Sequence, residues 1–261
     1  MSVAGARAVE RVVDILNAIK GHGGAAGISE ISRELALPKS TVHRILAALT
    51  KKGMVYKDGS SDRYSLGYKL FDLAFAASKP WDFISCAMPH LEEARNRLNE
   101  TVVVALMLGV QYSYIAQAVS GHSTPVTTVL GRYYPLHWGA TGKAMLAFIS
   151  DEKLQEYIGT VPLVAATAWT ITDPDVLLAE TRTIRSLGYS VSYSEKVEGV
   201  GAVACAIRDR RGVAYGGVTI VAPDGRVRNM DQQAVGAIMV EAAHRIEFRC
   251  QVVGGAALLT M

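Results

Sequence analysis

Cysteine is scarce in this chain, and the three present, Cys86, Cys205 and Cys250, are odd in number and widely scattered. No CxxC pair occurs, which argues against a zinc cluster or a secreted disulfide framework and fits a reducing cytoplasm. Long apolar runs are also missing. The two most apolar stretches, Thr101–Val110 and Gly212–Pro223, fall far short of the roughly 20 residues a helix needs to cross a bilayer. Met1 to Glu10 lacks the basic-then-apolar pattern of a signal peptide. A cytoplasmic protein with no membrane partner is therefore expected. Neither sign of charge dominates, since 27 Lys and Arg stand against 24 Asp and Glu. Catalytic signatures are lacking too: there is no nucleophile elbow, no HExxH pair and no paired catalytic carboxylates. His90, His122, His137 and His244 have no Cys or carboxylate at metal-ligand spacing. Gly139-Ala140-Thr141-Gly142-Lys143-Ala144 looks like a phosphate loop but has His137 where a Walker glycine is needed and Ala144 where Ser or Thr is needed. Neither an enzyme nor a resident cofactor or metal is expected.

What is present is concentrated near the N-terminus. Residues 1–67 hold ten Lys and Arg against six Asp and Glu, whereas residues 68–261 hold seventeen against eighteen. The basic excess thus lies in a short segment, as it would in one that meets phosphates. Within it, Ile28–Ala36 has helical spacing with Ser29 placed as N-cap, and Leu37-Pro38 breaks that helix. A second helix from about Lys39 to Lys51 turns Val42, Ile45, Leu46 and Leu49 inward and Lys39, Ser40, Thr41, His43 and Arg44 outward. That is a helix-turn-helix with a polar recognition face. Gly53 ends the helix, and two β-like runs, Met54–Tyr56 and Tyr64–Leu66, flank a turn-rich loop with Lys57 and Arg63 at its base, the wing of a winged helix. An earlier helix, Ala6–Lys20, carries Val9, Val12, Val13, Leu16 and Ile19 on one face to complete the core. Gly21–Gly27 reads as a flexible connector.

Beyond the wing, Tyr68–Ser78 reads as an unusually apolar linker helix that needs a cover, and Pro80 marks a boundary. The remainder reads as an α+β domain with an antiparallel sheet. Its strands fall at Thr101–Leu108, Tyr112–Val119, Pro125–Leu130, Tyr189–Ser194, Gly201–Arg208 and Val213–Val221. Its helices fall at Phe83–Asn99, Gly142–Ser150, Asp151–Ile158, Asp173–Leu187 and Asp231–Arg249. Asp173-Pro174 is a strong helix start. The expected domains are 1–67, a linker at 68–79, and 80–261.

The chain resembles the IclR family of bacterial transcription regulators over nearly its whole length. The resemblance rests on Arg7-Ala8-Val9-Glu10, Leu37 to Leu46, Arg63-Tyr64-Ser65-Leu66-Gly67, Pro135-Leu136-His137, Gly142-Lys143-Ala144, Arg185 to Tyr189, and Glu195 with Gly199. It implies a winged helix-turn-helix, a linker helix and a C-terminal effector-binding domain similar to GAF domains. It also implies dimers, or dimers of dimers, that act on double-stranded operator DNA at catabolic genes. Ser40, Thr41, His43 and Arg44 are then the major-groove candidates, and Lys39, Lys57, Arg63 and Arg7 the phosphate candidates. For a small-molecule effector, expected to be an organic acid, the resemblance implies Trp138, Ala140, Thr141, Tyr193 or Ser192, Ala202, Thr219 and Val221. Relatives that bind small keto acids carry more polar groups in these strands, so Tyr, Ala and Val here, with Trp138, point to a larger or more aromatic effector. An enzyme or a protein-interaction adaptor on the same scaffold is the alternative. Effector identity, operator sequence, and activation versus repression are not encoded in these motifs.

Overall fold

The computed structural model describes residues 3–59, 61–70, 73 and 79–252. Its contacts divide the chain into two compact units, Met1–Ser78 and Lys79–Met261. Of the expected linker helix, Tyr68–Leu70 and Leu73 are helical, and the rest lies outside the described residues apart from Lys79, which begins the next helix. Among the described residues no helix is long and apolar enough to cross a membrane.

The first unit contains helices α1 (Val3–Gly21), α2 (Ile28–Glu34) and α3 (Lys39–Lys51), and strands β1 (Ala25–Ala26), β2 (Val55–Lys57) and β3 (Tyr64–Leu66). Val42, Leu46 and Leu49 of α3 are buried against Ile31 of α2 and Ile15, Ala18 and Ile19 of α1. Helix α1 is rotated from the expected orientation. Its inward stripe is Val12, Ile15, Leu16 and Ile19, while Val9 and Val13 are 63% and 50% exposed. At about 100° per residue Val13 lies roughly 160° around the helix from Ile15, so burying one exposes the other. The α2 cap also differs. Gly27 caps the helix, and Glu30 reaches back so that Gly27 N donates to its carboxylate at 2.8 Å, leaving Ser29 inside the first turn. Gly53, in the left-handed region at φ 72°, lets the chain leave α3 for β2. The expected connector contains a strand: Ala25 and Ala26 pair with Ser65 and Tyr64, giving the sheet order β1-β3-β2. Small residues can close onto the free edge of β3, which would otherwise leave unpaired amides beside the core.

The second unit is built on one six-stranded antiparallel sheet. Helix α4 (Lys79–Leu98) leads into β4 (Thr101–Leu108), β5 (Gln111–Ala118) and β6 (Tyr133–Pro135). There follow α5 (Gly139–Leu146), α6 (Asp151–Thr160), α7 (Pro174–Leu187), β7 (Ser190–Tyr193), β8 (Val200–Arg208), β9 (Ala214–Pro223), α8 (Asp224–Asn229) and α9 (Gln232–Val252). The strand order is β6-β5-β4-β9-β8-β7. One sheet face packs on α4 and α9 through Phe83, Leu91, Val104, Ile220, Met239 and Ile246. The other packs on α5, α6 and α7 through Val103, Tyr114, Met145, Leu154 and Leu177. Asp173 caps α7 with Pro174 at its first turn, and Gly188 at φ 82° ends it, as the sequence dictates.

Two expected elements differ, and two short elements are additional. Pro125–Leu130 is not a strand; Thr128 N donates to the Gln117 side chain at 3.1 Å, and the edge of β5 is taken by β6 instead. Helix α5 begins at Gly139, three residues early, because Gly139 adopts φ 72° and turns the chain directly off β6. The additional elements are β6 and the short α8 between β9 and α9. A register shift between Val104 and Ala105 leaves Ile115 as an extra residue on β5. That bulge reverses the side-chain alternation. Tyr112 and Tyr114 therefore join the α5 face, whereas Ala116 and Ala118 join the α4 face.

Candidate functional site

On the first unit the polar side of α3 stands clear of the core. Lys39, Ser40, His43 and Arg44 are exposed and Thr41 is half-buried, while Val42, Leu46 and Leu49 anchor the opposite side. This brings hydroxyls, an imidazole and a guanidinium onto the first two helical turns, the part of a recognition helix that reaches base edges. Arg7 is exposed on α1. Lys57 is exposed on the wing but already pairs with Asp62 at 2.6 Å. Asp62, by hydrogen bond and charge, holds the Lys57 ammonium above its ordinary range.

Arg63, expected at a phosphate, already has partners within the unit. Its guanidinium donates to both Glu30 oxygens, at 3.1 and 2.9 Å, and to Ala25 O at 2.8 Å. A fork of this kind fixes geometry as well as charge, so Arg63 ties β3 to β1 and to the α2 cap. The Gly27 amide first, and Arg63 second, hold the Glu30 carboxyl below its usual range. Arg63→Ala should lower the melting midpoint only slightly, the pair being partly exposed. It should leave unchanged the slope of log affinity against log salt; a lost phosphate contact would reduce that slope by about 0.9. Titrations of DNA binding at several salt concentrations, with a melting curve, separate these outcomes.

The second unit holds a cavity of about 230 Å³. The β5–β6 edge contributes Tyr112, Tyr114, Arg132 and Tyr134, and the segment Val126–Val129 lines it as well. Trp138, Gly139, Ala140 and Thr141 come from the start of α5, Ser192 from β7, Lys196, Val197 and Val200 from the loop into β8 and its first residue, Ala202 from β8, and Val221 from β9. The first-turn amides of a helix lack intrahelical partners, so this end of α5 favours negative charge. Tyr112, Tyr114 and Tyr134 pack together at centroid separations of 5.4 to 5.8 Å. Hydroxyls continue inward from them: Tyr114 Oη lies 2.8 Å from Thr141 Oγ1, which lies 2.9 Å from Thr219 Oγ1. Burial first, and the neighbouring tyrosines second, push the Tyr112 phenol well above its ordinary pKa.

Of the expected cavity residues, Trp138, Ala140, Thr141, Ser192, Ala202 and Val221 line the space. Thr219 shares the strand face of Val221 and sits one layer behind, bonded to Thr141. Tyr193 faces away. It packs on the opposite core with the Arg228 guanidinium 4.0 Å above its ring, and its hydroxyl accepts from Gln232. Alternation along β7 makes Ser192 and Tyr193 mutually exclusive, and Ser192 takes the cavity side. Tyr112, Tyr114, Tyr134, Arg132 and Lys196 also line the space, beyond the residues the sequence points to. The signal available was the i, i+2 tyrosine pair on a strand followed by a second tyrosine pair at 133–134.

Beneath the cavity lies a buried ion pair. Lys143, 1% exposed, donates to Glu195 at 2.7 Å, to Glu180 at 2.9 Å and to Val191 O at 3.4 Å. His137 is also fully buried; its ring contacts the Tyr157 hydroxyl at 2.8 Å and Val164 O at 2.9 Å, and burial holds its pKa down. Cys205 and Cys250 are buried thiols pushed up in pKa, the latter to about 12, by loss of water. Among the described residues no group of three or more His, Cys, Asp or Glu side chains could hold a metal ion.

Comparison with known proteins matches residues 75–248 to the family described as bacterial transcriptional regulator IclR C-terminal, and residues 8–59 to the IclR helix-turn-helix domain. The chain is 32% identical over 223 residues to the HTH-type transcriptional repressor AllR of Escherichia coli (strain K12), spanning 85% of this chain and 82% of that protein. It is 31% identical over 238 residues to the HTH-type transcriptional regulator KdgR of Dickeya chrysanthemi, spanning 91% and 78%. Among solved structures it is similar to an IclR homolog complexed with 4-hydroxybenzoate from Microbacterium hydrocarbonoxydans, with a TM-score of 0.82 at 25% identity, covering 94% of this chain and 99% of the other.

Proposed function

The chain belongs to the IclR family of bacterial transcriptional regulators, a DNA-binding regulator and not an enzyme, and from that premise we propose that a small organic acid, aromatic in character, governs its operator binding. The observation that carries this reading is the cavity of about 230 Å³ walled by three tyrosines and Trp138. Its size falls a little below the usual range for drug-sized ligands, which suits a small one, and its mixture of apolar walls with a few placed polar groups is what such sites need. A homologue of the same fold is known in complex with 4-hydroxybenzoate. The protein works in the cytoplasm as a homodimer or dimer of dimers on a two-fold operator near catabolic genes. Two copies of the small winged helix gain affinity through effective concentration.

On the operator, Ser40, Thr41, His43 and Arg44 read base edges from the major groove, and Lys39, Lys57 and Arg7 contact phosphates. Arg44→Ala should forfeit about 1–3 kcal/mol of discrimination at one position of each half-site. Competition gel shifts against single-base operator variants measure this. Equal weakening on every sequence would reassign Arg44 to a phosphate. For the effector, a thermal-shift series of benzoate, 4-hydroxybenzoate and pyruvate tests the class. Stabilisation by pyruvate alone would overturn the aromatic reading.

A further inference from the structure

Among the described residues the walls of the cavity carry two cations, Lys196 and Arg132, and no carboxylate. Lys196 is held there by aromatic faces. Its ammonium lies 4.3 Å from the centroid of Tyr114, 4.6 Å from Tyr134 and 5.8 Å from Tyr112, and it donates to Tyr114 Oη at 2.8 Å. An ammonium has three donors, and ring faces attract it without supplying a strong acceptor. The residue next to it in sequence, Glu195, does not neutralise it. Glu195 turns to the far side of the loop and pairs with the buried Lys143 at 2.7 Å.

The loop that presents Lys196 is held from several directions. Ser194 sits in the left-handed region at φ 59°, a conformation a serine adopts only when its surroundings impose it. Its hydroxyl donates to Asp224 at 2.9 Å, the Gly199 amide donates to that same hydroxyl at 3.1 Å, and Thr170 Oγ1 donates to Glu195 O at 2.6 Å. The Lys196 stem rests against the start of α5: a Cβ built on Gly139 would lie 3.4 Å from Lys196 Cβ. A cation so placed gives up little side-chain freedom when an anion arrives. Lys196 is half-buried, so water screens it less than a surface lysine, and an ion pair with a carboxylate adds a charge-assisted hydrogen bond that the rings do not offer.

We propose that Lys196 is the counter-ion of the effector's acidic group, and that through it the cavity selects aryl carboxylates over neutral aryl compounds of the same shape. The assignment rests on the effector reading above and adds the residue that carries its charge preference. Calorimetric titration of the full chain with 4-hydroxybenzoate, benzoate and the neutral 4-hydroxybenzamide, for wild type, Lys196→Met and Lys196→Arg, tests it. The wild type should prefer the acids. Lys196→Met should bind them roughly tenfold to a hundredfold more weakly while leaving the amide unchanged, and Lys196→Arg should retain most of the acid affinity. Lys196→Gln provides the same comparison on an independent variant with a polar stem. Equal acid binding by wild type and Lys196→Met, or equal binding of acid and amide by wild type, would overturn the Lys196 assignment and leave the effector cavity standing. Failure of the wild type to bind any of the three would overturn both.

Discussion

Lys143→Met should destabilise the Lys79–Met261 unit by about 3–5 kcal/mol, because it leaves the Glu195 carboxylate charged and dry. Glu195 has little alternative. Its second oxygen already lacks a hydrogen-bond partner, whereas Glu180 is partly exposed and can turn to water. The pH dependence has a definite sign. Burial raises the Glu195 pKa above its ordinary 4.5, and Lys143 opposes that rise. Removing Lys143 therefore raises it further. A carboxyl whose folded pKa lies above its unfolded value favours the fold when protonated. That contribution is complete below the unfolded pKa and is lost as pH rises through the folded one. The deficit of Lys143→Met should accordingly be smaller at about pH 5 than at about pH 8. Urea denaturation at the two pH values measures it, and a deficit that did not grow with pH would refute this account. The double variant Lys143→Met/Glu195→Leu should recover much of the loss, since a well-packed apolar pair can replace a buried ion pair.

Gly142→Ala should cost about 3 kcal/mol, the upper end of overpacking penalties. Helix propensity alone gives the opposite sign, since Ala is favoured over Gly inside a helix by about 1 kcal/mol. Position 142 reverses that preference because a Cβ there would fall 2.1 Å from Leu136 O and 2.6 Å from its carbonyl carbon. The obstacle is backbone, so α5 itself must withdraw, dragging Ala140 and Thr141 from the cavity wall. Melting curves and acid titrations should both register the change, with a lower midpoint and weaker binding. A stabilised variant would show that α5 does not approach Leu136 this closely.

Much of the first unit was legible in the chain because its signals are local. Pro38 separates α2 from α3, the three-to-four spacing of Val42, Leu46 and Leu49 sets which side of α3 is buried, and Gly53 ends it. The caps of α7 at Asp173 and Gly188 follow the same logic. Each depends on steric or hydrogen-bonding rules that act within about a turn of chain. The rotation of α1 was not legible, because Val9 and Val13 satisfy a helical stripe as well as Ile15 does. Nor was β1, whose two alanines become a strand only through the exposed edge of β3.

The polar face at Lys39 to Arg44 was therefore determined by the sequence itself: a proline, an apolar period and a row of polar side chains leave one arrangement of α3. The cavity was decided by tertiary structure. Tyr112, Tyr114, Ala116 and Ala118 share one parity in the chain, yet the bulge at Ile115 sends the tyrosines to one face and the alanines to the other. Glu195 and Lys196 are adjacent, yet the buried ammonium of Lys143 draws one away and three aromatic rings hold the other in. Arg63 is one basic residue among several in the chain until folding brings Glu30 and Ala25 within its reach. In each case the partner that sets a side chain's direction lies many residues distant, and that proximity exists only after the chain has folded.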